Sequence, residues 1–399
     1  MMTEHSTKGG PPFTLGLMLP GGGARGAYQA GVLKAIAEIA PEGRNPFPVI
    51  AGASVGAINA TALAGAGNDF KGSVQRLASL WSGLRTDNVY KTDFASIAQR
   101  GFHWVAALTP ASMLGVGPPR SLLDNAPLRQ LLAENIDFDK IDDAIASGAL
   151  QALSVTASSY DRGRAVTFFQ GRSDIEPWSR ARREGVRNRI GVEHIMAAAA
   201  LPYVFPAERV GHEYFGDGSL RLTSPLSPAI HTGADRILVI TARDSRPDPA
   251  PVEATQSYPS IGAIGGSLLD IIFLDNVDAD IERARRIDHT LSLIAPDKSD
   301  DTVLREIEVM VLEPSCDVRT IAREHAHELP WTIRMLMRQL GMWGRDWRLP
   351  SYLMFEPGYC GALIDLGYRD TLARRDEVDR FLGLGPDPKA GVQTKAGDA

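Results

Sequence analysis

Two apolar runs, each passing straight through a glycine turn into a helical pattern, constrain this chain more than any other feature. The first, "TLGLMLP" (Thr14 to Pro20), leads into Gly21-Gly22-Gly23-Ala24-Arg25-Gly26. A run that is apolar on both sides reads as a strand buried on both faces, as in a parallel sheet covered by helices. Beyond the glycines, Ala30, Leu33, Ile36, Ala37 and Ala40 recur at helical spacing until Pro41 stops them. The second run, "FPVIAGAS", enters Gly52-Ala53-Ser54-Val55-Gly56 and then the small-residue helix "VGAINATALAGAG". Strand, helix, strand, helix in tandem predicts an α/β fold with parallel strands. It also places both glycine turns at carboxyl ends of neighbouring strands, where such sheets bind ligands.

Gly21, Gly23 and Gly26 have the G-x-G-x-x-G spacing of a dinucleotide-binding turn. A dinucleotide site also needs an acidic residue about 20 positions further on, at the end of the second strand. Pro46 stands there, and Glu38 and Glu42 belong to the preceding helix and its end. What the second strand carries instead is G-x-S-x-G. In such an elbow the serine sits on a strained strand-to-helix turn, with glycines where side chains would clash as the chain doubles back. The N–H groups of the first loop, at a helix N-terminus, then suit an oxyanion formed when Ser54 attacks an ester.

A serine hydroxyl needs a base. His194, His212, His231 and His289 lie downstream, so the hydrolase order Ser, acid, His leaves a triad esterase or thioesterase open. None of them stands in a recognisable turn with acidic support. Asp217 differs: it follows the apolar "EYFG" and enters Gly218-Ser219, a turn that presents a carboxylate at a strand end. A nucleotide-binding or regulatory module that kept only the loop is a third reading, against which Ser54 and Asp217 both stand.

In three ordered blocks, "GGGARG" (Gly21–Gly26), "GASVG" (Gly52–Gly56) and "DGS" (Asp217–Ser219), the chain resembles the patatin-like phospholipase family. "AAAALPYVFP" and "TSPLSPAI", on either side of the aspartate, resemble the family's flanking segments, and the likeness covers about residues 14 to 243. It implies a three-layer α/β fold with a central, mostly parallel sheet flanked by helices. It also implies a Ser–Asp dyad without histidine, hydrolysing acyl esters of phospholipids or other lipids, with neither cofactor nor metal. On that likeness Ser54 is the nucleophile, Asp217 its base, and backbone N–H groups around Gly22 and Gly23 the oxyanion hole. Arg25 holds the loop's basic position and orients the loop or its neighbours. Ser219 departs from the pattern, standing where the family usually has Gly or Ala.

The remaining readings concern organisation and surroundings. Residues 1–13 and 385–399 read as disordered, 14–243 as the catalytic domain, and 244–384 as a mainly helical extension entered through a linker at Pro247–Pro259. A net charge of −6 argues against a general nucleic-acid binder. Two cysteines, Cys316 and Cys360, are far too few for a disulfide scaffold. The first residues lack a secretory pattern, and no run approaches the ~18 apolar residues of a spanning helix. The expectation is a cytoplasmic protein that at most touches a membrane surface, of open oligomeric state. "HWVAALTPASMLGVGPP" fits a cap or lid. His325 and His327 lack the H-E-x-x-H arrangement and read as ordinary helix residues. Trp331, Trp343 and Trp347, interspersed with Arg334, Arg338, Arg345 and Arg348, suit either a bilayer interface or packing against the catalytic domain or a second subunit. Leu336, Leu340, Trp343 and Trp347 share a helical face if Gly341 and Gly344 do not break it.

Overall fold

The structure, a computed structural model, describes residues 13–41, 43, 45–65, 69–107, 121–242, 258, 260–294, 304–339, 341–343 and 347–385. The readings made for the two chain ends, the Pro247–Pro259 linker, the lid beyond residue 107, and Leu340, Gly344 and Arg345 fall outside these residues wholly or nearly so.

Ten strands form one sheet: β1 (Leu15–Leu19), β2 (Val49–Ala53), β3 (Ala152–Ser159), β4 (Arg164–Gly171), β5 (Trp178–Arg180), β6 (Arg183–Arg187), β7 (Glu208–Val210), β8 (Glu213–Asp217), β9 (Arg236–Ile240) and β10 (Glu308–Leu312). The spatial order is β10-β9-β1-β2-β3-β4-β6-β5, with β8 on β3 and β7 on β8. From β10 to β3 every pairing is parallel. The fold is thus α/β with a central, mostly parallel sheet flanked by helices, as the tandem units predict. Every residue of β1 and β2 is buried, because helices cover both faces.

The strand alternation divides the core in two. Leu15, Leu17, Leu19 and Ile50 face a large core shared with α1 (Ala27–Ile39), α2 (Val55–Ala64) and α3 (Phe70–Gly83). Met18, Val49, Ala51 and Ala53 face a smaller core with Leu226, Val277 and Ile281, from the helices Ser227–His231 and Asn276–Ser292 and the turn before the first of them. Residues beyond 260 are mainly helical, as expected, but they also add β10 to the sheet edge. Their longest helix on the large core, Pro357–Ala373, lies against α1 with almost no side chain between. A Cβ on Gly31 would overlap the Ile364 carbonyl, and one on Gly367 the Tyr28 carbonyl.

Leu336, Trp343 and Trp347 do not share one helical face. The helix Trp331–Gln339 stops there, and Gly341 takes a left-handed φ of 70°. Among the described residues no helix is long and apolar enough to cross a membrane.

Candidate active site

Ser54 follows β2 and caps α2 with φ 53° and ψ −131°, a conformation costing a non-glycine residue about 1–3 kcal/mol. The glycines on either side show what holds it there. A Cβ on Gly52 would overlap the Gly56 carbonyl, and one on Gly56 would overlap that of Leu19 on the neighbouring strand. The elbow therefore packs backbone against backbone, and the serine absorbs the bend.

Asp217 reaches the same point from the opposite direction. One edge of β3 is taken along its whole length by β4. On the other edge β2 pairs as far as Ala53, opposite Thr156, and β8 arrives antiparallel and ends with Asp217 opposite Ala157. Thr156 and Ala157 are consecutive, so β2 and β8 meet end to end and their terminal side chains share one spot.

Asp217 is wholly buried, its N–H donating to the Ala200 carbonyl at 2.8 Å. Its Oδ1 accepts the Ser219 N–H at 2.9 Å. Burial pushes the carboxyl up to about 6, against the Ser54 hydroxyl and the Ser219 N–H and hydroxyl, which favour the anion. Both hydroxyls therefore lie close to the carboxylate, yet Oδ2 has no donor at full hydrogen-bonding geometry. Ser219, the departure from the family pattern, thus adds a second hydroxyl beside the carboxylate. Ser219→Ala removes a group that favours the anion, so the acid limb of kcat/KM is expected to move upward from about 6. A pH–rate profile with an unmoved limb would deny the contact.

Among the described residues no histidine hydrogen-bonds to Ser54 or Asp217. His194 is buried with Nδ1 accepting the Gly191 N–H at 3.0 Å and its ring edge against Phe168. His231 engages the Ser227 carbonyl at 2.8 Å, and His212 and His289 are exposed. His325 pairs with Glu328 at 2.6 Å, and His327 with the Glu324 carbonyl at 3.1 Å.

The glycine loop leaves β1 and closes as a tight turn, Gly23–Gly26, with the Arg25 N–H on the Gly22 carbonyl at 3.2 Å. It bridges the two other motifs. A Cβ on Gly21 would come within 2.7 Å of the Ser219 hydroxyl, and one on Gly26 within 2.8 Å of Val55. Ala24 is buried beneath the turn. Gly23 has φ 54°, and its missing Cβ would overlap the Tyr352 carbonyl.

Tyr352 belongs to a strap from the C-terminal region that grips the loop through Arg25. This guanidinium is 1% exposed, donates to the Ser351 hydroxyl at 3.0 and 2.8 Å, and lies 3.7 Å above the Tyr352 ring. Asp270 sits 3.5 Å from it and accepts the Tyr352 hydroxyl at 2.6 Å. A buried charge is tolerable only when partnered in this way.

From below, Gln29 donates to the Pro20 and Ile240 carbonyls at 3.0 and 3.2 Å, and Asn59 to the Gly26 carbonyl at 3.1 Å. Trp81 donates to Asn59 at 2.9 Å. Sequence reading missed these supporting residues. The signal for Asn59 was available, as the one amide in an otherwise small or apolar helix; nothing local marks Asp270, Ser351 or Tyr352.

Beside Gly23 and Ser54 opens an apolar cavity walled by Ile58, Trp81, Leu84, Leu132, Phe205 and Phe355. Among the described residues no group of three His, Cys, Asp or Glu side chains is placed to hold a metal.

A serine on a strained elbow between a parallel strand and a helix places the protein in a class of α/β folds built around such a turn. Within that class the sequence model of patatin-like phospholipases matches residues 17–230, more than half of the chain. The chain belongs to the patatin-like phospholipase family, a family of lipid hydrolases. None of the curated proteins is significantly similar to it in sequence. Solved structures similar to it include VipD from Legionella pneumophila, at 14% identity over 92% of this chain and 67% of that one, with a TM-score of 0.36. Human GIVD cytosolic phospholipase A2, in complex with methyl gamma-linolenyl fluorophosphonate, shows 12% identity over 93% of this chain and 59% of its own, TM-score 0.40. The type III effector ExoU of Pseudomonas aeruginosa shows 14% identity over 92% and 54%, TM-score 0.36. The chain spans less than two thirds of the length of the latter two.

Proposed function

We propose that this protein is a serine lipid acyl hydrolase of the phospholipase A or lysophospholipase type, working through Ser54, Asp217 and the glycine loop. The observation that carries this reading is the end-to-end meeting of β2 and β8 on β3, which brings the buried Asp217 carboxyl, pushed up to about 6 by burial, beside Ser54 on its strained elbow. An ordinary aspartate is a weak base at neutral pH; one at about 6 is a stronger base and still about nine-tenths ionised at pH 7.

As Ser54 Oγ attacks the ester carbonyl, Asp217 takes its proton. The oxyanion of the tetrahedral intermediate lies against loop N–H groups around Gly22 and Gly23. Collapse breaks the bond to the alcohol, which leaves with the proton from Asp217, and the acyl group stays on Ser54. Water then attacks this acyl ester with Asp217 again as base, releasing the fatty acid and restoring the serine. The cavity lined by Trp81, Leu132 and Phe355 accepts the acyl chain, which sets the substrate class as esters with an apolar acyl group.

A fluorophosphonate probe tests the nucleophile. One covalent adduct per chain is expected, at Ser54, and none on Ser54→Ala; labelling that survives Ser54→Ala defeats the reading. His194, His212 or His231 replaced singly by Gln should retain most activity, and loss with any one of them would restore the triad. Hydrolysis across phospholipids, lysophospholipids and short-chain esters reads out the preferred substrate.

A lipid hydrolase must also draw substrate from an aggregate. Trp331 stacks on Phe94 at 6.4 Å, and both are more than half exposed. Trp343 and Trp347 instead pack edge to face at 5.1 Å, and Trp343 rests on the core under the Arg338 guanidinium. Of the three tryptophans, Trp331 is the one available for peripheral membrane contact. Co-sedimentation with anionic vesicles is expected to fall with Phe94→Ala/Trp331→Ala and with added salt, while short-chain ester hydrolysis persists. Trp343→Ala/Trp347→Ala should lower the melting temperature instead. Unchanged vesicle binding in the first double variant would remove Trp331 from any membrane role.

A further inference from the structure

A second cavity lies on the opposite face of the sheet from Ser54, over the smaller core. Its floor is apolar, built from Leu226, Ile230, Ala284 and Ile287, and its rim carries Arg183, Arg283 and His231.

The charges at this rim do not cancel. Asp280, the acid of the cavity, is already committed: its Oδ1 accepts from the Ser224 hydroxyl at 2.8 Å and from Arg283 at 2.6 Å, and its Oδ2 from the Leu226 N–H at 3.0 Å. Those bonds brace the turn before Ser227 against the helix Asn276–Ser292. Arg183 is left half-buried, with no ion pair or hydrogen bond among the described residues; desolvation is the largest influence on it, offset in part by the charge of Asp280 and reinforced by Arg283 and Arg180. Arg180, Arg183 and Arg305 all press positive charge on His231, whose pKa is lowered first by burial and then by these guanidiniums. Arg305 is paired with Asp235, and among the described residues Arg180 hydrogen-bonds only to the Ser179 carbonyl. His231 itself is fixed, stacked on Trp178 at 4.7 Å with Nδ1 against the Ser227 carbonyl, which leaves Nε2 as the ring nitrogen not used in that bond.

A half-buried, unpartnered guanidinium beside an imidazole held neutral costs solvation that an anion would restore. The apolar floor adds a second requirement, since an inorganic ion alone would leave it wet. We infer that this cavity binds an amphiphilic anion, its phosphate or carboxylate head between Arg183, Arg283 and His231 and its apolar tail on Leu226, Ile230 and Ile287. The site is separate from the Ser54 cavity and stands whether or not Ser54 is the nucleophile.

The test uses the full-length chain and three probes: octyl phosphate, octanoate and inorganic phosphate. The readout is the His231 ring signal in NMR, assigned by His231→Gln, so that binding in the Ser54 cavity is not scored. Octyl phosphate, octanoate or both should shift that signal saturably and raise the pH at which His231 titrates, because a bound anion favours imidazolium. Preference for octyl phosphate assigns the head to a phospholipid-type ligand, and preference for octanoate to a free fatty acid. Arg183→Gln should weaken binding about tenfold or more, the loss of a hydrogen bond to a charged group, while leaving short-chain ester hydrolysis unchanged. An unmoved His231 signal overturns the inference. So does equal binding by Arg183→Gln, or inorganic phosphate binding as tightly as both amphiphiles.

Discussion

Asp217→Asn is expected to abolish hydrolysis and, at pH 8, to raise the melting temperature. Loss of a positioned general base typically costs 10²–10⁴-fold in rate, and here no other base touches Ser54, so the upper end of about 10⁴ applies. The stability effect follows from where the carboxyl sits. Asp217 is wholly buried, and its pKa rises from the ordinary 3.8 to about 6. The folded state therefore binds this proton more tightly than the unfolded chain does. Below about pH 4 both states are protonated and the ionisation penalty is absent. It grows between pH 4 and 6 and is fully present above 6. At 1.36 kcal/mol per unit, a shift of this size corresponds to about 2–3 kcal/mol. Asparagine never ionises and keeps an oxygen for the Ser219 N–H. Its stability advantage should be largest at pH 8 and fade as pH falls through 6 towards 4. Thermal unfolding at pH 4.5, 6 and 8, beside kcat/KM, checks both halves. A variant less stable than its parent at pH 8, or one that retains appreciable turnover, would mean that this carboxylate is not a base raised by burial.

Gly23→Ala carries the second largest effect. The position needs a left-handed φ of 54°, and an added methyl would overlap the Tyr352 carbonyl. Relief requires the loop to move away from the strap, and with it the N–H groups beside Ser54. Removal of one oxyanion donor typically raises the barrier by about 2.7–4 kcal/mol, so kcat should fall about 10²–10³-fold with KM nearly unchanged. The same substitution should also destabilise the fold by about 1–3 kcal/mol, through backbone strain and overpacking. Equal losses in substrate binding and turnover would contradict the oxyanion role. A nucleotide affinity abolished by this substitution would revive the dinucleotide reading of the loop.

How far the sequence discloses this molecule depends on how local each feature is. β1 and β2 are readable because burial on both faces leaves them continuously apolar, and the turns after them because only glycine tolerates such close backbone approach. The β3–β4 hairpin is marked by Asp161 to Arg164 between two apolar runs. β5 and β6 are not, since "WSR" and "REGVR" are short and mostly polar. β10 alternates in exposure and lies at the sheet edge, in a region whose pattern is otherwise helical. For the site, residue types and strand ends single out Ser54 and Asp217. The end-to-end meeting of β2 and β8 on β3 is a matter of register, which no local pattern encodes. The strap is least legible of all. Arg25 and Ser351 are 326 positions apart, and neither Ser351 nor Tyr352 looks unusual where it stands.

The clasp between Gly31 in α1 and Gly367 in the helix Pro357–Ala373 has a consequence in time. During synthesis the elbow, the glycine loop and Asp217 all leave the ribosome while the strap and the clasping helix are still untranslated. At 5–20 residues per second, the roughly 120 residues from the end of β9 to the start of that helix take on the order of ten seconds to appear. Throughout that interval Arg25 has neither Ser351 nor Tyr352, and α1 exposes the apolar face that the later helix will cover. Until the strap is made, the buried contacts that hold Arg25 and the glycine loop in place cannot form.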